Sequence, residues 1–235
     1  MRDYAMGLEL SPPDAASFAR DGALHLRAAL GAADLQRLES AINGLPPDQA
    51  GIRLRGIPAL RPLLAPSGAV GRVAAAVLGH GARAGRAILF DKSAAANWAL
   101  PWHQDRTIAV SERVDVVGFG PWTVKSGLLH VAPPFELLAG MVTLRVHLDP
   151  VPETNAPLLI APGSHRLGRI PESELKSVVE RCGTAVCVAD AGDIWLYSTL
   201  IVHCSEAARD PVHRRVLQVD FSADGLPGGL EWLGV

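Results

Sequence analysis

A chain of 235 residues has room for one large domain or two small ones, and a composition 49% apolar and 20% charged excludes disorder. A formal net charge of −2 leaves no electrostatic footprint for nucleic acid or an anionic membrane surface, so the expected partner is a small molecule. Three cysteines, Cys182, Cys187 and Cys204, are odd in number and contain no Cys-x-x-Cys pair. That argues against a disulfide framework or a thiolate zinc site and suits a reducing cytoplasm. Met1 through Glu9 hold an early acid and no apolar run, unlike a signal peptide, and no uncharged apolar segment reaches the length of about 18 residues needed to span a membrane. These features predict a soluble, cytoplasmic protein.

In chain order, Ser11-Pro12-Pro13-Asp14 opens a helix, with Ser11 or Asp14 as cap and the prolines suited to a first turn. Phe18, Leu24 and Leu26 supply its apolar face, with a break at Gly22. Leu35, Leu38 and Ile42 recur at helical spacing over residues 32–42, and Gly44 with Pro46-Pro47 ends that helix. A Gly- and Pro-rich link follows, then a short helix from Val70 to Leu78 ending at Gly79. The N-terminal third is thus predicted to be largely helical. From Arg86 the texture changes to short strand-like runs: 87–90, 102–110, 141–148, 158–160, 184–188, 194–197, 200–203 and 215–221. Gly, Pro and Asn separate them, as in a sandwich or barrel. The predicted organisation is a single domain over 1–235: a mainly helical flank (1–85), a β core (86–222) and a C-terminal tail (223–235).

The chemistry concentrates in that β core. In Trp102-His103-Gln104-Asp105 an extended backbone would turn His103 and Asp105 to one side, offering imidazole and carboxylate to the same point. That is two-thirds of the 2-His-1-carboxylate triad that holds non-haem Fe(II), and His203 is the best candidate for the distant third ligand. A second His-x-Asp, His147-Leu148-Asp149, has a simpler explanation. Thr143, Arg145 and His147 alternate with apolar Val142, Leu144, Val146 and Leu148, which describes a partly polar sheet face. On that face Arg145 is a candidate for meeting a substrate carboxylate, with an ion pair within the sheet as the plainer role. A strand ending near His203, a turn through Ala208–Pro211 and a returning strand from Arg214 would form a hairpin. An arginine fork there could hold the far carboxylate of a metal-bound oxo acid, with Ser205 adding a hydroxyl. Arg214 and Arg215 face opposite sides of a strand, so one of them enters the pocket, and alternation does not say which.

The segments Leu89-Phe90-Asp91-Lys92, Pro101-Trp102-His103-Gln104-Asp105, Pro162-Gly163-Ser164-His165 and His203-x-Ser205 followed by Arg214-Arg215 together resemble the phytanoyl-CoA dioxygenase family of Fe(II)/2-oxoglutarate oxygenases. The resemblance covers roughly residues 86–222. It implies a mainly β fold with flanking α-helices, a double-stranded β-helix (jelly roll, cupin-like). It also implies His103, Asp105 and His203 as iron ligands, Arg214 as the anchor of the far 2-oxoglutarate carboxylate, Ser205 as an assisting hydroxyl and Lys92 as a lysine near the cosubstrate. Where the family often has Asn-Gly-Pro-Leu, this chain has Asn155-Ala156-Pro157-Leu158, a change expected to alter a turn and not the chemistry.

Other residues have plainer readings. His165 is expected to serve its turn through a backbone hydrogen bond. Trp98, Trp102 and Trp122 line a pocket or fill core. Cys204 points away from the ligands, and Arg106, Asn97 and Gln104 are further pocket candidates, with Arg106, Trp98 and Arg145 carried as substrate contacts. The implied reaction consumes 2-oxoglutarate and O2 at Fe(II), releases succinate and carbon dioxide, and hydroxylates a small molecule. Related halogenases carry a small residue where this chain has Asp105, which favours hydroxylation. Two other classes share the same barrel: a non-redox metal-dependent enzyme, which has no need of Arg214, and a metabolite-binding sensor, which makes no succinate.

Overall fold

The computed structural model describes residues 9–46, 49 and 51–235. The expectations drawn from Met1 to Leu8 and from Pro47 lie outside these residues. Six helices are α1 (Pro12–Asp21), α2 (Ala32–Ile42), α3 (Arg61–Leu64), α4 (Gly71–Leu78), α5 (Phe135–Ala139) and α6 (Leu175–Cys182). Thirteen strands are β1 (Ala23–Leu26), β2 (Ile52–Leu54), β3 (Arg83–Lys92), β4 (Leu100–His103), β5 (Ile108–Ala109), β6 (Trp122–Lys125), β7 (Leu128–Val131), β8 (Val142–His147), β9 (Leu158–Ile160), β10 (Ala185–Cys187), β11 (Ile194–Ser198), β12 (His203–Ser205) and β13 (Arg214–Ser222).

The major sheet has the order β1-β11-β8-β13-β3-β2 and faces a minor sheet of order β10-β9-β12-β4. A third, three-stranded sheet, β5-β7-β6, stands beside them. The fold is a jelly roll, mainly antiparallel β with flanking helices. Period-two alternation divides the major sheet into two faces. Ala87, Leu89, Leu144, Val146, Leu217 and Val219 point outward and pack under Leu38, Leu60, Val70 and Val73 of the helical flank. Each fully buried aliphatic side chain here contributes about 1.5–3 kcal/mol. Arg86, Phe90, Arg145, Arg214 and Gln218 point inward, toward the minor sheet.

Ser11 caps α1 as expected: its Oγ accepts from the Asp14 amide at 3.3 Å. The helix stops at Gly22 (φ +73°). That turn lets the His165 ring pass so close that a Cβ at position 22 would lie 2.2 Å from His165 Nδ1. Leu24 and Leu26 therefore belong to a strand and not to the helical face predicted for them. β1 pairs with β11, and β2 with β3, so the N-terminal third supplies both edges of the major sheet. Strands of three or four residues are too short to show a period, which is why the helical prediction missed them. Strands β6 and β7 were also unforeseen. They are joined by the two-residue turn Ser126-Gly127, both with positive φ (51° and 75°), the type I′ geometry that matches strand twist. The hairpin predicted between His203 and Arg214 does not form: β12 lies in the minor sheet and β13 in the major one, paired with β3 and β8. The tail at 223–235 is docked, with Leu230 buried and the Trp232 ring against Gly85.

The Pro162-Gly163-Ser164-His165 turn has a structural purpose beside the site. Ser164 is fully buried and its Oγ accepts from the Val202 amide at 2.9 Å, fixing the residue that precedes His203. At Asn155-Ala156-Pro157 the turn survives the loss of glycine, because Ala156 adopts φ +52°. A Cβ in this left-handed region costs roughly 1–2 kcal/mol, part of which glycine's freedom in the unfolded chain offsets. Ala156→Gly is expected to raise unfolding stability by about 0.5–1 kcal/mol in a denaturant titration, and a loss of stability would show that the alanine methyl packs favourably there.

Candidate active site

His103 ends β4 and His203 begins β12, and the two are direct partners across that antiparallel pair. Their ring centroids are 4.3 Å apart. Asp105 lies just past the end of β4 and not within the strand as expected, yet it returns to the same point. One ligand atom from each of His103, Asp105 and His203 falls within 4.8 Å of the others, and this is the one such cluster among the described residues. Both histidines offer their Nδ1 to a carbonyl: His103 to Pro101 O at 2.7 Å and His203 to Ile201 O at 2.9 Å. A carbonyl can only accept, so Nδ1 carries the proton and the Nε2 lone pair is left for a cation. Burial, and then the neighbouring His103, push His203 down to about 4, against an opposing pull from Asp105. The ring is neutral, the form that ligates. Two imidazoles and a carboxylate fit a divalent iron.

Asp105 leans on a group that the sequence did not single out. Arg86 reaches it at 3.3 Å while holding Asp220 at 2.5 Å, and Thr143 Oγ1 donates to Asp220 at 3.1 Å. Burial opposes the charge on Asp105, but Arg86 and the two histidines outweigh it and keep its carboxyl below the usual range. Alternation along β3 and β13 places Arg86 on the face of Phe90 and Lys92, and Asp220 on the face of Arg214. The ordinary period-two rule would have found both had it been applied to polar residues.

At the other end of the inner wall stand two more arginines. Arg214 is 2% exposed, donates through Nη1 to the Ala156 carbonyl and leaves Nε without a partner. Arg145 is 5% exposed, donates to Gln218 Oε1 at 3.0 Å and sits 5.3 Å from the Phe90 ring centroid. Neither has a carboxylate partner among the described residues. Burial, and then Arg145, push Arg214 down to about 9. Arg215 faces outward and grips Asp149 and Glu39. Of the two arginines on opposite sides of β13, Arg214 is the one turned inward. Ser205 and Trp98 line the same cavity. Lys92 is placed behind them: its Nζ donates to Trp98 O (2.7 Å), Glu206 O (2.6 Å) and Ser205 Oγ (3.1 Å). Burial, and then Arg214 and Arg145, push Lys92 down to about 7. With its donors engaged it reaches the cavity only through Ser205.

Several candidates are not brought to the cavity. Arg106 is directed at the 170–172 loop, with Ile170 O at 2.7 Å and Glu172 at 3.6 Å, and does not line this cavity. Gln104 braces the Ile170 amide and the Leu200 carbonyl, and Asn97 closes two bonds on Ala208. Trp102 packs with Ile170 and Val178, and Trp122 with Ile108 and Val131. His147 is buried with neither ring nitrogen partnered, and burial pushes it to about 3. Asp149 is instead bound to Arg215, so the second His-x-Asp forms no pair. His165 packs against Gly22, and its Nδ1 is buried without a hydrogen-bond partner.

The cavity encloses about 530 Å³, which is within the range of small-molecule sites. Its apolar wall is Ile88, Phe90, Trp98 and Leu100. Toward the mouth it is lined by Arg53, Lys125 and Ser126, from segments in which the sequence showed no catalytic pattern.

Among solved structures the chain is similar to EctD from S. alaskensis with 2-oxoglutarate and 5-hydroxyectoine (20% identity, TM-score 0.68, 91% of this chain and 76% of that one). It is also similar to SnoK, a non-haem α-ketoglutarate-dependent carbocyclase from nogalamycin biosynthesis (16%, 0.62, 90% and 83%). A third is HygX from Streptomyces hygroscopicus with iron bound (16%, 0.61, 92% and 87%). At these identities the likeness establishes the fold. No curated protein sequence matches. The profile of the family described as Phytanoyl-CoA dioxygenase (PhyH) matches residues 18–216. The chain therefore belongs to the phytanoyl-CoA dioxygenase (PhyH) family and is a non-haem Fe(II)/2-oxoglutarate-dependent dioxygenase.

Proposed function

We propose that His103, Asp105 and His203 hold Fe(II), that Arg214 receives the far carboxylate of 2-oxoglutarate, and that the enzyme hydroxylates a small molecule with release of succinate and carbon dioxide. The observation that carries this reading is the pair of buried guanidiniums, Arg214 and Arg145, without a counter-charge on the cavity that also holds the His/Asp/His cluster. An unpaired buried charge is costly, and a dicarboxylate restores the balance in the geometry an arginine fork favours. Iron with bound 2-oxoglutarate supplies the oxidising chemistry, and the protein supplies position and a dry, charged enclosure.

The chain's own residues divide that work. The Pro101 and Ile201 carbonyls hold the imidazole tautomers. Arg86 keeps Asp105 ionised. Lys92 fixes the Ser205 hydroxyl that stands beside the cosubstrate carboxylate, and so acts through Ser205. Arg145 lies at the Arg214 end, where it shares in neutralising the cosubstrate, a better fit than direct contact with substrate. Phe90, Trp98 and Leu100 exclude water, and Trp98 remains a substrate-facing wall. A small dicarboxylate leaves most of the cavity for the substrate. An ionisable aspartate at position 105 completes the ligand set and favours hydroxylation over halide transfer.

Wild-type protein supplied with Fe(II), 2-oxoglutarate and O2 is expected to form succinate slowly even without substrate, and no succinate under any iron loading would contradict the proposal. Arg214→Ala is expected to raise the KM for 2-oxoglutarate by about 100-fold, from the loss of a buried charge-assisted contact, with iron affinity retained. Asp105→Ala is expected to abolish iron-dependent succinate formation, and normal turnover would remove it from the ligand set. His147→Leu is expected to leave iron affinity unchanged in a metal titration, whereas a large loss would move the centre to the second His-x-Asp.

A further inference from the structure

The cavity mouth joins two elements that are distant in sequence. Arg53 comes from β2, the edge strand of the major sheet, and Lys125 and Ser126 from the tip of the β6–β7 hairpin. Arg53 Nη1 donates to Ser126 Oγ at 2.7 Å, closing one rim of the opening. Ser126 holds φ +51°, the left-handed conformation that the two-residue turn requires. Lys125 Nζ donates to Thr107 Oγ1 at 3.0 Å. Among the described residues neither Arg53 nor Lys125 has a carboxylate partner, and the buried Arg53 Nε has no acceptor.

We infer that Arg53, Lys125 and the Ser126 hydroxyl form an anion subsite at this mouth, so that the substrate carries a carboxylate, phosphate or sulfonate group. The inference rests on the oxygenase reading above and extends it to the substrate. Charge balance supports it. Five cationic side chains line the cavity, Arg53, Arg86, Lys125, Arg145 and Arg214, against the single carboxylate of Asp105. Asp220 beneath them neutralises Arg86. Ferrous iron and a 2-oxoglutarate dianion together add no net charge to that sum, so the loaded site stays positive overall. With Arg214 and Arg145 facing the cosubstrate and Arg86 held by Asp220, the cations left over are Arg53 and Lys125 at the mouth. Burial, and then Arg86, lower Arg53, while Arg86 and Asp105 act on Lys125 in opposite senses. Lys125 is thus within electrostatic reach of the candidate iron ligand. An oxyanion seated between Arg53 and Lys125 supplies the acceptor Arg53 Nε lacks and relieves the repulsion among the cations. It also holds the neighbouring carbons of its molecule at the reactive end of the cavity.

The test uses full-length protein loaded with Mn(II) and saturating 2-oxoglutarate, titrated calorimetrically with phenylacetate, with its uncharged isostere phenylacetamide and with inorganic phosphate. Phenylacetate or phosphate is expected to bind at millimolar concentration and phenylacetamide not to. Arg53→Gln and Lys125→Gln should each weaken the anion roughly tenfold, as loss of one charge-assisted contact does, and Lys125→Arg should retain it. Lys125 is exposed at the rim, so its variants report on binding and not on folding. Equal binding of the amide, no binding of either anion, or wild-type affinity in both Gln variants would overturn the subsite. The preceding 2-oxoglutarate injection reads the oxygenase assignment separately: failure there, in wild-type protein, counts against the cosubstrate and not against the anion preference.

Discussion

Two guanidinium groups buried without a counter-charge set the terms for the rest of this molecule. Arg214 and Arg145 lie inside a jelly roll, where desolvating a cation costs several kcal/mol unless something repays it. Among the described residues neither finds a carboxylate, and the hydrogen bonds that hold them go to neutral acceptors, the Ala156 carbonyl and Gln218. A protein that keeps such a pair is incomplete without an anionic ligand. At the opposite end of the same wall the charges are closed, with Arg86 shared between Asp105 and Asp220. The interior therefore has one end where the charges are closed around Asp105 and another where two cations stand without a counter-charge among the described residues.

Strand register produces this division. In the β3–β13 pair, Arg214 stands opposite Lys92 and Asp220 opposite Arg86, so a single ladder carries both ends of the charge pattern. In the minor sheet the pairing of His103 with His203 brings the two imidazoles together, and the Pro162–His165 turn pins Val202 beside one of them. The outward faces of the same strands are apolar and packed under helices. That packing gives the polar interior a rigid frame, since a one-residue slip would exchange the two faces. Functional geometry and stability thus depend on the same alternation.

The barrel and the residues that meet in the His/Asp/His cluster were legible in the sequence because each rests on a local signal. Short runs between Gly and Pro marked the strands, and His-x-Asp with a distant histidine and an arginine pair marked the site. The relation between segments was not legible. His203 and Arg214 were expected to share a hairpin, yet they sit in different sheets, because the 206–213 connection crosses between them. Leu24 and Leu26 looked helical because nothing in four residues reveals that β11 pairs with them. Arg53 and Lys125 come from segments with no motif, and only the tertiary fold closes them over the cavity. Arg106 failed in the opposite way: its proximity to the motif suggested contact, and the end of β4 turned it toward the 170–172 loop. Arg86 and Asp220 could have been found, since both lie in register with residues already singled out.

The most direct measurement compares 2-oxoglutarate with pyruvate in anaerobic titrations of the Fe(II) protein, followed by the visible charge-transfer band of an iron-chelated keto acid. Both molecules offer the same chelating carboxylate and keto oxygen, and only 2-oxoglutarate has a far carboxylate for Arg214. If the unpaired guanidiniums select the cosubstrate, the band develops at a concentration at least about tenfold lower for 2-oxoglutarate, and Arg214→Ala erases the difference. Equal half-saturation by the two acids in wild-type protein would contradict that role and leave the buried arginines unexplained.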